Sequence, residues 1–156
     1  MSRQNFLDDE PWTDIHRQHE IRSRVFDRPR DAMLGASLHE LLPGSPGFWL
    51  HAHYGCDEMF FVVSGKPTFR NGTTEEQLSP GDVVYCRQGK EGLHTFTNPT
   101  DTPARILAIS AGRYPDVVAY PEHGHAWVAT RDPDREPGDG DEGIIARFDI
   151  DGVGTR

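Results

Sequence analysis

Cysteine is scarce in this chain: Cys56 and Cys86 are the only two in 156 residues. That is too few for the disulfide framework of a small secreted domain, so both are expected as reduced thiols. Positive charge is also short, with 16 Lys and Arg against 25 Asp and Glu and a formal net charge of −9. Binding a polyanion requires a basic face that displaces counterions, which excludes nucleic acid as the expected partner. The one local group of arginines, Arg17, Arg22, Arg24, Arg28 and Arg30, sits among acidic residues and reads as a solvated arm or a subunit contact. Long apolar runs are missing, and residues 1–10 hold no apolar leader. No membrane partner and a cytoplasmic location are therefore expected.

The length suits one domain with one core and is short for two. Pro11 to Asp27 is polar, with Trp12, Ile15, Ile21, Val25 and Phe26 irregularly spaced, which predicts a short helix or helical turn leading into an extended arm over residues 1–31. From Ala32 the pattern becomes strand-like over Met33–Leu42, Phe48–His53, Glu58–Ser64, Pro67–Arg70, Glu75–Leu78, Asp82–Cys86, Leu93–Asn98 and Ala104–Ala111. Turn signals separate these runs, and Asn71-Gly72 is the strongest hairpin signal because both residues tolerate a type I′ turn. Eight short punctuated strands predict an all-β antiparallel core over residues 32–112, since a parallel sheet would need crossover helices.

Residues 113–156 read as a loop-rich extension. Tyr114-Pro115 and Tyr120-Pro121 break the pattern, and Asp132 to Glu142 is rich in Asp, Pro and Gly, as flexible acidic loops are. Gly143 to Ile150 regains apolar character, enough to return to the core or cross to a partner subunit.

The chemistry concentrates in His51, His53, Glu58 and His94, three imidazoles and one carboxylate that can serve a single divalent metal. On a strand the side-chain period is two, so His51 and His53 share a face with Trp49. With Tyr54 to Asp57 as a turn, Glu58 would start the return strand opposite His53. Leu93 to Asn98 supplies His94, with Phe96 and Asn98 on its face. A carboxylate entering an apolar strand is rarely tolerated unless paired or metal-bound. Imidazole and carboxylate suit iron, manganese, nickel, cobalt or zinc in the divalent state, and four protein ligands on an octahedral ion leave two positions open. Cys56, between His53 and Glu58, is either a redox-sensitive thiol or a small buried turn residue. His123-Gly124-His125 lies among glycine and proline without a matching carboxylate and reads as a surface loop.

Gly47, His51-x-His53, four residues, Glu58, six residues and Gly65 resemble the first motif of the cupin superfamily; Gly81-Asp82, Gly89, His94, three residues and Asn98 resemble the second. The spacing from Gly89 to His94 is two residues longer than the common pattern. The resemblance implies a small antiparallel jelly-roll β-barrel holding one metal on His51, His53, Glu58 and His94. The apolar walls would be Trp49, Phe60, Val62 and Phe96, with Asn98 either a donor behind the ligands or a turn cap. A dioxygenase or decarboxylase acting on a small oxygen-bearing molecule is the leading expectation. A metal-dependent isomerase of a sugar or keto compound, and a non-catalytic small-ligand sensor, are the alternatives. Single-barrel cupins commonly pair through terminal arms, so a homodimer is expected.

Overall fold

Alternating side chains from Leu34 onward do form strands, and the strands extend well beyond the expected core at both ends. The computed structural model describes residues 3–8, 10–29, 32–112, 114–130 and 143–150. Within them run β1 (Asp14–His16), β2 (Ile21–Val25), β3 (Leu34–Leu41), β4 (Ala52–His53), β5 (Cys56–Ser64), β6 (Thr68–Arg70), β7 (Glu75–Gln77), β8 (Val83–Cys86), β9 (Thr95–Thr97), β10 (Ala104–Gly112), β11 (Asp116–Tyr120), β12 (His125–Ala129) and β13 (Ile144–Asp149). The only helical pieces among the described residues are three single 3₁₀ turns.

Every strand pairing is antiparallel. One sheet has the order β1-β2-β3-β10-β5-β8, a second β13-β12-β11-β4 and a third β7-β6-β9. The fold is a jelly roll, but among the described residues its ladders do not run continuously round the circumference, so these sheets do not close into a barrel. One bridge, His51 to His94, links the chain entering β4 to the chain entering β9. The core between the sheets is Ile21, Leu41, Phe60, Val62, Leu78, Cys86, Phe96, Ile106 and Ala108. Gly47 packs so tightly that a Cβ there would collide with the carbonyl oxygen of Phe96, and its φ of 80° suits only glycine comfortably.

Of the short helix or helical turn expected over Pro11–Asp27, only the single 3₁₀ turn Arg17–His19 is present; it joins β1 to β2 in a hairpin, and β2 extends the main sheet by pairing with β3. Arg24 explains the misleading pattern. Rather than being a solvated arm residue it is buried, donating to the carbonyls of Phe6 and Asp8 at 2.8 and 3.0 Å, with Trp12 and Phe26 beside its guanidinium. A charged residue thus occupies a covered position, which apolar periodicity does not register. Arg30 lies outside the described residues.

The expected loop after Ala111 is also structured. β11 and β12 form a hairpin around Pro121–His123, and the salt bridge from Arg70 to Glu122 at 2.8 Å ties that turn to β6. The prolines mark strand ends rather than disorder. β13 pairs with β12, so the apolar tail returns to its own chain. The acidic stretch Asp132 to Glu142 lies outside the described residues. At Asn71-Gly72 the loop spans four residues rather than two, because Asn71 Oδ1 accepts from the Thr74 hydroxyl at 2.7 Å and β6 and β7 pair only to Arg70 and Glu75.

Asn98 is fully buried, and its amide donates to the carbonyls of Leu41, Leu42 and Thr102 at 3.0, 3.1 and 2.8 Å. It clips the end of β3 to the turn before β10. Asn98→Ala should orphan these carbonyls and lower unfolding free energy by about 3 kcal/mol in urea titration. Metal content should be unchanged.

Candidate metal centre

His51 and His94 sit directly opposite each other, exchanging backbone hydrogen bonds of 3.1 and 2.9 Å, so both side chains leave the same face. Their ring centroids are 4.5 Å apart, and His53, two residues along, places its ring 5.2 Å from that of His51. Glu58 comes from the opposing sheet. The expected hairpin between His53 and Glu58 does not exist: β4 pairs with β11, β5 pairs with β10 and β8, and residues 54–55 carry the chain between sheets. Across that gap Glu58 Oε2 lies 3.2 Å from His94 Nε2 and 3.5 Å from His53 Nε2.

Each imidazole is held through its other nitrogen. His51 Nδ1 is 2.8 Å from the Trp49 carbonyl, His94 Nδ1 is 2.7 Å from the Gly92 carbonyl, and His53 Nδ1 is 2.5 Å from Asp116 Oδ2. Carbonyl and carboxylate oxygens only accept, so each Nδ1 carries a proton, and a ring that is neutral offers its Nε2 lone pair to the interior. Asp116 is itself fixed by the Gly55 amide at 2.7 Å. The ligand atoms offered by His51, His53 and Glu58 lie within 4.8 Å of one another. His94 lies beside this trio, in contact with Glu58.

The electrostatics call for a cation. Burial and the neighbouring imidazoles of His94 and His53 push His51 down to about 3, leaving it neutral. Burial would raise Glu58, but His94, His53 and His51 outweigh it and bring the carboxyl down to about 2. Burial also opposes charge on His94, yet Cys86 and Glu58 beside it push it up to about 10. The cluster therefore attracts one positive charge, which in the chain alone is a proton on His94. Glu58 Oε2 is nonetheless buried without a hydrogen bond of acceptable geometry among the described residues. The lone pairs of His51 and His53 and the orphaned carboxylate oxygen lie close enough together to fit a divalent ion, and His94 beside them would join on losing that proton.

The cluster opens into a cavity of about 430 Å³ whose wall includes Trp49, Phe60 and Phe96, as expected. Val62 lies in the core rather than on that wall, and Asn98 is spent on its turn. Four wall residues, Val118, Tyr120, Trp127 and Ile144, come from the stretch read as loop and tail, and Ser37 and His39 from β3. Asp116 was also missed; a lone carboxylate after a proline carries no signal of its histidine partner in a strand far away in sequence. His123 and His125 stay out of the metal cluster. His123 packs on Trp49 at 4.1 Å between ring centroids, and His125 stacks on Tyr120 at 5.0 Å. Burial, with Glu58 and Asp116 nearby, pushes the Cys56 thiol up to about 12, which makes it a packing residue and not a reactive thiol.

Residues 37–110 match the family model of the cupin domain. No curated protein matches the chain. Among solved structures, a protein of Acidithiobacillus ferrooxidans provisionally named a sugar phosphate isomerase is 27% identical with a TM-score of 0.56, the match covering 61% of this chain and 60% of that one. This chain thus spans less than two thirds of that protein. A cupin of Silicibacter pomeroyi named a sugar phosphate isomerase is 23% identical with a TM-score of 0.66, over 87% of this chain and 91% of that one. A predicted oxalate decarboxylase of Thermotoga maritima is 23% identical with a TM-score of 0.53, over 60% and 81%. The last two likenesses bear on fold alone.

Asp116→Ala should weaken metal binding about 10- to 100-fold by chelator competition, because His53 loses the partner that sets its tautomer. Asp116→Asn, which keeps an acceptor, should retain more affinity. Equal affinity in wild type and Asp116→Ala would remove this residue from the site.

Proposed function

Since residues 37–110 match the cupin domain and the fold is a jelly roll, we propose that the chain is a mononuclear metalloenzyme acting on a small oxygen-bearing organic molecule. One observation carries this reading: the imidazoles of His51, His53 and His94 face the ionised Glu58 carboxylate, whose Oε2 is buried without a hydrogen bond, on the wall of a cavity large enough for a substrate. These four residues would hold one divalent iron, manganese, nickel or zinc ion. When bound, such an ion supplies Lewis acidity to a substrate oxygen, or an exchangeable position for dioxygen or water.

The chain's own residues perform the remaining work. Trp49 and Gly92 hold two ligand rings through their carbonyls and Asp116 holds the third. Phe60, Phe96 and Val118 exclude water. Ser37 Oγ lies 2.9 Å from His39 Nε2, and Ser23 Oγ lies 2.8 Å from His39 Nδ1. Burial pushes His39 down to about 4, so it is neutral at ordinary pH and can exchange a proton with the Ser37 hydroxyl on the cavity wall. Tyr120, raised to about 12 by burial and by Glu58 and Asp116, stays a phenol able to donate.

Dioxygenase or decarboxylase chemistry is the first reading. Metal-dependent isomerisation is the second, favoured by the likeness to the Acidithiobacillus ferrooxidans structure provisionally named a sugar phosphate isomerase. A homodimer belongs to the same proposal. Ile15, Val25 and Leu34 on the N-terminal strands and Ile145 and Phe148 on β13 leave apolar surface exposed. Light scattering should give twice the chain mass at micromolar concentration; a monomer would remove the dimer from the proposal.

Protein purified anaerobically without added metal should contain near-stoichiometric metal by elemental analysis, lost in both His51→Ala and Glu58→Ala. Iron or manganese directs the substrate search to oxygen-dependent and decarboxylation chemistry, and zinc or nickel to isomerisation. Wild-type protein that stays metal-free after reconstitution would overturn the proposal in favour of a ligand-binding barrel.

A further inference from the structure

The polar groups on the cavity wall are mostly spent within the protein. His19 Nδ1 is 2.8 Å from the Gly47 carbonyl and its Nε2 is 3.0 Å from the Gln18 amide. His39 is engaged at both nitrogens by Ser23 and Ser37, and the Thr95 hydroxyl donates to the Phe48 carbonyl. The hydroxyls of Tyr120 and Ser110 and the indole N–H groups of Trp49 and Trp127 are what the described wall has left. Aromatic and aliphatic side chains make up most of the remaining surface, and no lysine or arginine is among the described residues that line it.

A sugar presents a hydroxyl on nearly every carbon, and each one enclosed without a partner costs free energy. A phosphate dianion held away from the histidine cluster would need guanidinium or ammonium partners, and the described wall supplies neither. The fold neighbours' names point to sugar phosphates, but the wall of this chain does not suit one.

We infer that the cavity takes a compact, unphosphorylated molecule that is apolar over most of its surface and presents its oxygens at one end, toward His51, His53, Glu58 and His94. The orientation of this ligand rests on the metal reading above; its apolar character rests on the wall. Trp49, Tyr120 and Trp127 bring three aromatic rings to the wall, which favours a ligand with apolar surface over a polyol.

The full chain reconstituted with cobalt(II) is titrated with tropolone, a flat chelator with an apolar ring, and separately with fructose 6-phosphate. The cobalt absorption spectrum and tryptophan fluorescence are followed together. Tropolone should perturb both at concentrations far below those at which fructose 6-phosphate does. Trp127→Ala and Ile144→Ala should each weaken tropolone, the first by about tenfold, with cobalt content unchanged. Fructose 6-phosphate binding as tightly as tropolone, or tropolone binding unaffected in both variants, would overturn the inference.

2-Naphthol, which cannot chelate, separates the two readings in metal-free protein. Failure to take up cobalt, with 2-naphthol still binding and weakened by Trp127→Ala, would remove the metal reading and uphold the apolar wall. Cobalt uptake with no binding of 2-naphthol would uphold the metal and overturn the wall.

Discussion

A carboxylate inside an apolar sandwich must find a positive charge, and the placement of Glu58 depends on that constraint. Its strand β5 contributes Phe60 and Val62 to the core. On the same inward face stands Glu58, an ion that would be prohibitively costly there alone. The structure meets the demand by bringing three imidazoles to it from the facing sheets. The two-way backbone bond between His51 and His94 makes this precise, because it sets the relative position of both rings before any side-chain contact forms. The glycine at position 47 serves the same end by allowing the chain leading to His51 to lie against the Phe96 carbonyl.

The tethers on the far side of each ring matter as much as the ligands. Without the carbonyls of Trp49 and Gly92, and without Asp116, each imidazole could present either nitrogen. Two tethers are local to the histidines, reaching back two residues along the same segment. The third is long-range and charged, so His53 is the ligand whose orientation depends on a separate part of the chain. Asp116 also binds the Gly55 amide, so the crossing from β4 to β5 and the orientation of His53 are set by one carboxylate.

The candidate ligands were legible because their signal is local: His-x-His shares a strand face by the period of two, and a glutamate opening an apolar run is conspicuous. The core strands β3 to β10 were legible for a similar reason, since glycine, proline and asparagine punctuate them. How Glu58 reaches His53 was not, because a short gap reads as a hairpin whether the chain turns back or crosses to the facing sheet. The strand β2 was hidden by Arg24, whose partners are carbonyls of a segment far from it in sequence. The hairpin β11–β12 was hidden by prolines at its ends, and the valines and alanines between them are weak evidence until a surface exists for them to cover. Val62 was placed on the right strand but lies in the core rather than on the cavity wall, since alternation gives a face and not what the face meets, and Asn98 takes the turn-cap role that was one of its two readings.

The region matching the cupin domain ends at residue 110, whereas Val118, Tyr120, Trp127 and Ile144 line the cavity from beyond it. The shared domain supplies the candidate metal ligands, and the later strands supply much of the surface that a substrate would meet. This division explains why likeness over the shared fold says little about substrate. Chains with the same donors can differ entirely in the strands that close over them, and a search confined to the motif region would compare only the part they have in common. In this chain the later strands bring aromatic and aliphatic side chains to the cavity and the carboxylate of Asp116 to His53. They bring no lysine or arginine to the described wall. The polarity of the wall is therefore concentrated at the histidine cluster, and selection among ligands would fall on the remainder of the molecule, by shape and by the cost of burying whatever hydrogen-bonding groups it carries.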